Sequence, residues 1–148
     1  MRANVNIDVK KPVQEIWDLI SDIGNLDQWV EGVSEPKRTS EGEFAPGSTF
    51  TSVYVQNDKR YQVSYVLTTY DPPAHLAYRV TGCPQPFFNA VDLKSKGSST
   101  KISQTMELDV SGQTIGTVFL GLGPIARLSM TLKLRKGLKR LKARLEAA

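Results

Sequence analysis

Hydrophobic and polar residues alternate along most of the first 110 residues. A helical period replaces this alternation at two places near the N-terminus and appears again in about the last 25 residues. Residues 3–9 alternate, which predicts a strand. Pro12 then opens a helix whose apolar stripe recurs at i, i+3, i+4 and i+7, formed by Val13, Ile16, Trp17 and Ile20. Residues 22–29 predict a second short helix that is interrupted near Gly24.

From residue 33 to residue 110 the pattern is that of strands separated by turn signals. Short turns at Asn57-Asp58, Gly82-Cys83-Pro84 and Lys96-Gly97-Ser98-Ser99 join consecutive strands, and Asp71-Pro72-Pro73 ends another. Such short connections favour an antiparallel meander. The predicted strands are 33–39, 48–56, 60–70, 76–81, 87–94 and 100–110.

The last element is an amphipathic helix over residues 124–145, preceded by a glycine-rich segment, 112–123, that fits either a strand or a helix start. One apolar stripe of this helix is Ile125, Leu128 and Leu132; the other is Met130, Leu134, Leu138, Leu141 and Leu145. It is the one predicted element long enough to cover the sheet. A curved sheet closed over one long helix leaves a cavity, so the pattern predicts a pocket for a small apolar molecule.

Composition fits one domain, residues 1–148, with an ordinary apolar fraction. Cys83 is the single cysteine, so an intramolecular disulfide is excluded. No apolar run resembles a signal peptide or reaches the roughly 20 residues that span a bilayer. We therefore expect a cytoplasmic protein, either a monomer or a homodimer.

Charge is distributed unevenly between the final helix and the rest of the chain. Residues 127–148 hold eight basic residues against Glu146, whereas residues 1–126 are net acidic. This is not the broad basic surface of a nucleic-acid binder, which we do not expect as a partner. Three interpretations of the helix stay open: a solvated basic back, peripheral contact with an anionic membrane and, third, a nucleic-acid or acidic-protein partner.

Three local patterns together resemble a known superfamily. They are Val5-x-Ile7-x-Val9-x-x-Pro12 continuing to Ile16-Trp17 and Trp29, the hairpin Tyr70-Asp71-Pro72-Pro73 to Val80, and the strand entry Gly97-x-x-Thr100-Lys101-Ile102. The chain resembles the START-like (SRPBCC) superfamily, which includes polyketide cyclase/dehydrase-like and lipid-transport proteins. The resemblance implies an α+β helix-grip fold: a curved, antiparallel, seven-stranded sheet around a long C-terminal helix, with two short helices between strands 1 and 2.

Candidate polar site residues are few. Gln104 shares a strand face with Ile102 and Met106, so a buried amide there needs a partner, either a ligand, a water or a neighbouring side chain. Arg79 and Asn89 are further candidates whose facing the sequence does not fix. An inward Arg79 would select a carboxylate or polarise a carbonyl, and an outward one would only decorate the sheet.

His75 is the single histidine and a weak catalytic candidate, as a general base near the pocket mouth or as an exposed turn residue. The sequence shows no metal-ligand cluster, so we expect no metal and no cofactor. Both the odd-numbered and the even-numbered positions of residues 60–70 include apolar side chains, so the alternation does not show which face of this strand points inward. The predicted ligand-lining residues are Trp29, Phe50, Tyr65, Tyr78, Phe88, Gln104, Met106, Leu128 and Leu132.

Two functional hypotheses follow. The first is a binding or carrier protein for a lipid, polyketide or other polycyclic or isoprenoid-like molecule, held by apolar burial and oriented by Gln104. The second is a cyclase or dehydratase acting in the same cavity. The second needs an inward ionisable group, for which the sequence offers Arg79, His75, Asp92 and the tyrosines. No persuasive arrangement joins them, so binding is favoured.

Overall fold

The computed structural model describes residues 2–56, 58–83, 85–109 and 124–147. The chain starts with strand β1 (Arg2–Val9), helix α1 (Val13–Ile20) and a 3₁₀ helix (Ile23–Gln28). Six strands and a long helix follow: β2 (Val33–Arg38), β3 (Thr49–Gln56), β4 (Lys59–Asp71), β5 (His75–Thr81), β6 (Phe87–Lys96), β7 (Ser99–Leu108) and α2 (Pro124–Glu146). This order confirms the predicted elements. The glycine-rich segment 112–123 lies outside the described residues.

All seven strands form one sheet in the order β1-β7-β6-β5-β4-β3-β2. Every pairing is antiparallel, and β2 to β7 form the predicted meander. β1 closes the sheet beside β7, with Val5 opposite Gln104. Register shifts in β2 and in β4, between Leu67 and Thr69, bend those strands as bulges do. This architecture is the helix-grip fold of the α+β class.

The two short helices lie between β1 and β2 because local signals start and stop them there. Pro12 precedes α1, whose residues Ile16, Trp17 and Ile20 are buried. The Asp22 side chain accepts a hydrogen bond of 2.9 Å from the Gly24 amide and caps the 3₁₀ helix. Trp17 packs on Tyr70 with ring centroids 5.6 Å apart, which joins α1 to the sheet.

Helix α2 packs mainly against β1 through a buried seam of Leu134, Leu138, Leu141 and Leu145. A Cβ on Gly137 would lie 3.6 Å from the Trp29 carbonyl oxygen, so α2 also passes close to the end of the 3₁₀ helix. Leu128 and Leu132 are 59% and 53% exposed. The expectation that these two leucines line the cavity is wrong. At about 100° per residue, Leu132 points about 160° away from Leu134, and it is the Leu134 seam that faces inward.

The turn after β5 requires glycine. Gly82 has a φ of 93°, and a Cβ there would lie 2.5 Å from the Gln62 carbonyl oxygen. A side chain is therefore excluded by both conformation and space. This close approach holds the turn that carries Cys83 against β4.

Candidate functional site

Side chains alternate across the sheet, and one side of it is buried. We call this side the inner face and the opposite side the outer face. Residues directly opposite each other on paired strands lie on the same face of the sheet, and Phe50 opposite Tyr65 and Val91 opposite Gln104 are two such pairs on the inner face. The buried inner-face residues of β3 to β7 are Phe50, Ser52, Val63, Tyr65, Leu67, Leu76, Tyr78, Val80, Asn89, Val91, Leu93, Thr100, Ile102 and Gln104.

Three aromatic rings form the centre of this face. Phe50 stacks on Tyr65 with centroids 4.5 Å apart and planes 10° from parallel. The ring of Tyr78 meets both edge-on, at 5.8 Å from Phe50 and 5.5 Å from Tyr65. Stacked and edge-on geometries are the favourable ones for aromatic pairs. The cluster therefore provides a rigid apolar surface inside the fold.

A chain of polar side chains crosses the same face beside the rings. Gln104 Nε2 donates to Asn89 Oδ1 over 3.0 Å, and Asn89 Nδ2 donates to the Tyr78 hydroxyl over 2.9 Å. The exposed fractions of these three residues are 5%, 4% and 5%. Tyr78 and Asn89 are direct cross-strand partners, whereas Gln104 lies diagonally across from Asn89 on β7. The sheet register thus assembles this polar chain from three adjacent strands.

Both ends of the polar chain have hydrogen-bonding capacity left over. Gln104 Oε1 is buried and has no hydrogen-bond partner among the described residues. The Tyr78 hydroxyl accepts from Asn89, and the described part of the chain offers no acceptor for its proton. A buried acceptor without a partner costs about 1–3 kcal/mol. The inner face therefore presents one free acceptor and one free donor within an apolar surface.

Burial keeps the phenols of this face protonated. Desolvation raises the pKa of Tyr78 to about 12, against the smaller opposing effect of the hydrogen bond from Asn89. Desolvation likewise raises the pKa of Tyr65, whose hydroxyl shares a 2.7 Å hydrogen bond with Ser52 Oγ. At neutral pH both side chains are neutral hydrogen-bonding groups and not bases.

Two other predicted lining residues also lie inside the fold. Trp29 is 2% exposed, and its indole Nε1 has no hydrogen-bond partner among the described residues. Met106 is partly buried, packs against the core and shares the inner face of β7 with Gln104. Together with Phe50, Tyr65 and Tyr78 they lie inside the fold, and their contact with a ligand stays a prediction.

Phe88 does not belong to this set. It is 40% exposed and pairs with Arg79 on β5 and Glu107 on β7, which are outer-face positions. The prediction that Phe88 lines the cavity is wrong, because the inner-face position of this pair is taken by its neighbour Phe87. Two consecutive phenylalanines necessarily point to opposite faces of a strand.

The two weak catalytic candidates also lie on the outer face. Arg79 donates through Nε to Asp109 Oδ2 over 2.7 Å, and His75 Nδ1 contacts Asp92 Oδ1. Both pairs are cross-strand or end-of-strand contacts on the side away from Gln104. Of the two alternatives that the sequence left open for each residue, the structure supports the outward Arg79 and the exposed His75. Among the buried inner-face strand positions that the structure describes, the titratable side chains are Tyr65 and Tyr78.

Two inner-face polar residues were underestimated by sequence reasoning. Asn89 was one of several open candidates and proves to be the centre of the polar chain. Ser52 was not considered, yet it is 2% exposed and bonded to Tyr65. The alternation Phe87, Asn89, Val91, Leu93 is the signal that indicates the facing of Asn89.

Other features of the described residues suggest no second chemical site. A surface groove of about 430 Å³ between α1 and the end of α2 shares no residue with the polar chain; it is lined by Lys11, Glu15, Leu19, Arg144 and Leu145. No group of three or more His, Cys, Asp or Glu side chains could hold a metal ion in the part of the chain that the structure describes. Burial raises the pKa of the Cys83 thiol, which disfavours its reactive thiolate.

Solved structures with the same fold cover nearly the whole chain. A START superfamily protein from Mycobacterium smegmatis superposes with a TM-score of 0.77 at 12% identity, covering 99% of this chain and 97% of that one. A protein from Thermus thermophilus gives 0.76 at 14% identity, with 99% and 98% coverage. A conserved protein from Geobacillus kaustophilus gives 0.70 at 19% identity, with 99% and 96% coverage. At these identities the similarity establishes the fold.

Sequence comparison places the chain more specifically. The family described as polyketide cyclase / dehydrase and lipid transport matches residues 1–146. Comparison with curated proteins finds no match.

Proposed function

Because the chain belongs to the polyketide cyclase / dehydrase and lipid transport family, we propose that its inner face binds a small hydrophobic ligand. The observation that carries this proposal is the buried Gln104 Oε1 without a partner among the described residues. Native proteins rarely leave such an acceptor unsatisfied, so a ligand hydroxyl or amine is the group that would complete it. The aromatic cluster beside it supplies the apolar contact.

The free groups specify the chemistry of the ligand. A hydroxyl on the ligand would donate to Gln104 Oε1, and a carbonyl or ether oxygen would accept from the Tyr78 hydroxyl. The rest of the molecule would be apolar, held at about 25 cal/mol per Å² of buried apolar area before association costs. A polycyclic aromatic, a polyketide or an oxygenated isoprenoid or lipid fits this description.

Binding is favoured over catalysis by the groups that the inner face holds. A cyclase or dehydratase that moves protons at neutral pH needs a side chain that titrates near that pH. The inner-face tyrosines Tyr65 and Tyr78 have raised pKa values, and Arg79 and His75 lie on the outer face. The polar chain Gln104–Asn89–Tyr78 is suited to orient a ligand through neutral hydrogen bonds.

The test is native mass spectrometry of the full chain purified from its own host, followed by denaturing extraction. We expect one hydrophobic compound at one per chain. Gln104→Leu, which removes the free acceptor, should retain at least fivefold less of it, since a lost hydrogen bond to a buried group costs about 1–3 kcal/mol. Gln62→Leu is the matched control, because Gln62 is exposed on the outer face of β4.

Two results would contradict the proposal. One is a protein that carries no ligand and also fails to bind an apolar probe such as 1-anilinonaphthalene-8-sulfonate. The other is equal ligand retention by Gln104→Leu and Gln62→Leu. Turnover of a polyketide-like substrate that is abolished in Gln104→Ala, with affinity intact, would favour the enzyme instead.

A further inference from the structure

Six of the eight basic residues of α2 fall into two groups, and the first group attaches the helix to the body of the protein. Lys133 Nζ donates to the Tyr54 hydroxyl over 2.7 Å and lies 5.3 Å from the centroid of its ring. Lys136 Nζ donates to Glu31 Oε1 over 3.0 Å, which lowers the pKa of that carboxyl. Arg144 Nε donates to Gln28 Oε1 over 3.0 Å. These contacts fix which side of α2 faces outward.

The second group lies on a different stripe of the helix. Starting from Leu128, steps of four and three residues give one continuous helical face, which we call the outer stripe: Leu128, Leu132, Arg135, Lys139 and Lys142. Its two leucines are 59% and 53% exposed. Its three basic residues form no ion pair with any described residue.

We propose that the outer stripe docks on an anionic membrane surface. Exposed leucines beside unpaired cations are the composition of an interfacial helix, which buries its apolar side chains at the headgroup boundary while its cations contact anionic lipid. The charge of the rest of the chain favours an orientation in which α2 faces the membrane. Residues 1–126 carry a net negative charge, so an anionic surface repels the body and attracts α2. Of the described helices, none is long and apolar enough to cross a membrane, so this contact is peripheral.

The other occupants fit the stripe less well. A nucleic acid would pair with the cations, but its phosphate backbone offers no apolar surface that would bury the two exposed leucines. A second copy packed face to face through the same stripe would set Arg135, Lys139 and Lys142 against the same charges of its partner. An anionic bilayer satisfies the leucines and the cations at once.

The test is sedimentation of the full chain with large vesicles, either phosphatidylcholine alone or phosphatidylcholine with 30% phosphatidylserine. Each basic residue close to an anionic surface contributes about fivefold to the partition coefficient. Arg135→Gln/Lys139→Gln/Lys142→Gln should therefore weaken binding to the anionic vesicles on the order of 100-fold. Leu128→Ser/Leu132→Ser should weaken it roughly tenfold or more, because two apolar side chains no longer enter the interface.

The matched control removes the same charge from the sheet. Lys37, Lys59 and Lys94 are exposed and lie outside α2, so Lys37→Gln/Lys59→Gln/Lys94→Gln should bind within about threefold of the wild type. Since none of the substituted positions packs in the core, circular dichroism should confirm that all three variants are folded.

Several results would overturn the proposal. They are no preference for anionic vesicles, an equal loss in the sheet control, retention of duplex DNA in place of vesicles, or a dimer in sedimentation velocity that Leu128→Ser/Leu132→Ser abolishes. Binding to vesicles is independent of the interior ligand. Gln104→Leu should sediment with anionic vesicles like the wild type, so either proposal can fail while the other stands.

Discussion

The two faces of the sheet carry similar residue types, which are buried on the inner face and exposed on the outer face. The inner face holds Phe50 and Asn89 fully buried, one stacked on Tyr65 and the other bonded on both sides. The outer face holds Phe88, 40% exposed, and Asn4, which donates to Ser103 and Thr105 at the surface. Burial, and not residue type, determines what each side chain contributes.

The comparison has a functional consequence. On the outer face two pairs of charged or ionisable groups contact each other, Arg79 with Asp109 and His75 with Asp92. On the inner face the polar groups are neutral, and the polar chain ends at Gln104 Oε1, an acceptor with no partner among the described residues. These two outer-face pairs thus have their partners within the protein, whereas Gln104 Oε1 on the inner face retains hydrogen-bonding capacity that suits a ligand.

The largest expected difference is between the two phenylalanines. Phe50→Ala removes a ring with 0% exposure that contacts Tyr65 and Tyr78, and we expect a loss of about 3–5 kcal/mol in the free energy of unfolding. Phe88→Ala should cost less than about 1 kcal/mol. Urea unfolding followed by circular dichroism measures both. Equal losses would contradict the assignment of the two faces.

The two asparagines provide the next comparison. Asn89→Leu leaves Gln104 Nε2 and the Tyr78 hydroxyl without their present partner, so we expect a loss of about 2–3 kcal/mol. Asn4→Leu breaks two exposed hydrogen bonds and should cost less than about 1 kcal/mol. The same unfolding experiment applies. A mild effect of Asn89→Leu would show that the polar chain contributes little to the fold.

The pH dependence of stability tests the burial of Tyr78. Its folded-state pKa is raised to about 12, against an ordinary value of 10.0, so between these values the unfolded chain releases a proton that the folded chain keeps. Stability is therefore unaffected by this group below pH 10 and falls as the pH rises from 10 to 12.

Urea midpoints at about pH 9 and about pH 11, on either side of the ordinary tyrosine pKa, measure this decline. Tyr78→Phe should make it shallower, because one of the buried phenols is removed. Phe88→Ala carries no titratable group and should keep the wild-type decline. An unchanged decline in Tyr78→Phe would mean that this phenol ionises equally well in both states.

The smallest expected effect is at His75. The imidazole and its partner Asp92 are each half exposed, and exposed ion pairs contribute about 0–1 kcal/mol. His75→Gln should change the free energy of unfolding by less than about 1 kcal/mol and leave ligand retention unchanged. Loss of the bound ligand in His75→Gln would assign the histidine a role that its outer-face position does not support.

The order of elements was predictable because turn chemistry and the two hydrophobic periods mark it directly. Pro12, Asp71-Pro72-Pro73 and Pro124 each stand at the element boundary that they predicted. The facing of strands was harder. Both sides of β4 are partly apolar, and only pairing with β3 and β5 settles that Tyr65 points inward, since Phe50 and Val80 are its neighbours.

The site was predicted in part for the same reason. Gln104 lies in a strand whose alternation the sequence shows, and it is buried as that alternation predicts. Phe50, Tyr65 and Tyr78 are buried as well, but the pairing of the strands and not the sequence shows which way they face. The rotation of α2 could not be derived from its sequence, because two apolar stripes of similar strength cover its first half. In the structure the seam of Leu134, Leu138, Leu141 and Leu145 is buried, and this rotation leaves Leu128 and Leu132 facing outward.

The most direct test of the inner-face site is ¹⁵N nuclear magnetic resonance of side-chain amides during titration with the compound released from the native protein. The account predicts that the amide resonances of Gln104 and Asn89 shift together at one equivalent, while those of Asn4 and Gln62 on the outer face stay fixed. Shifts confined to the outer-face amides, or none at saturation, would contradict a ligand site at Gln104.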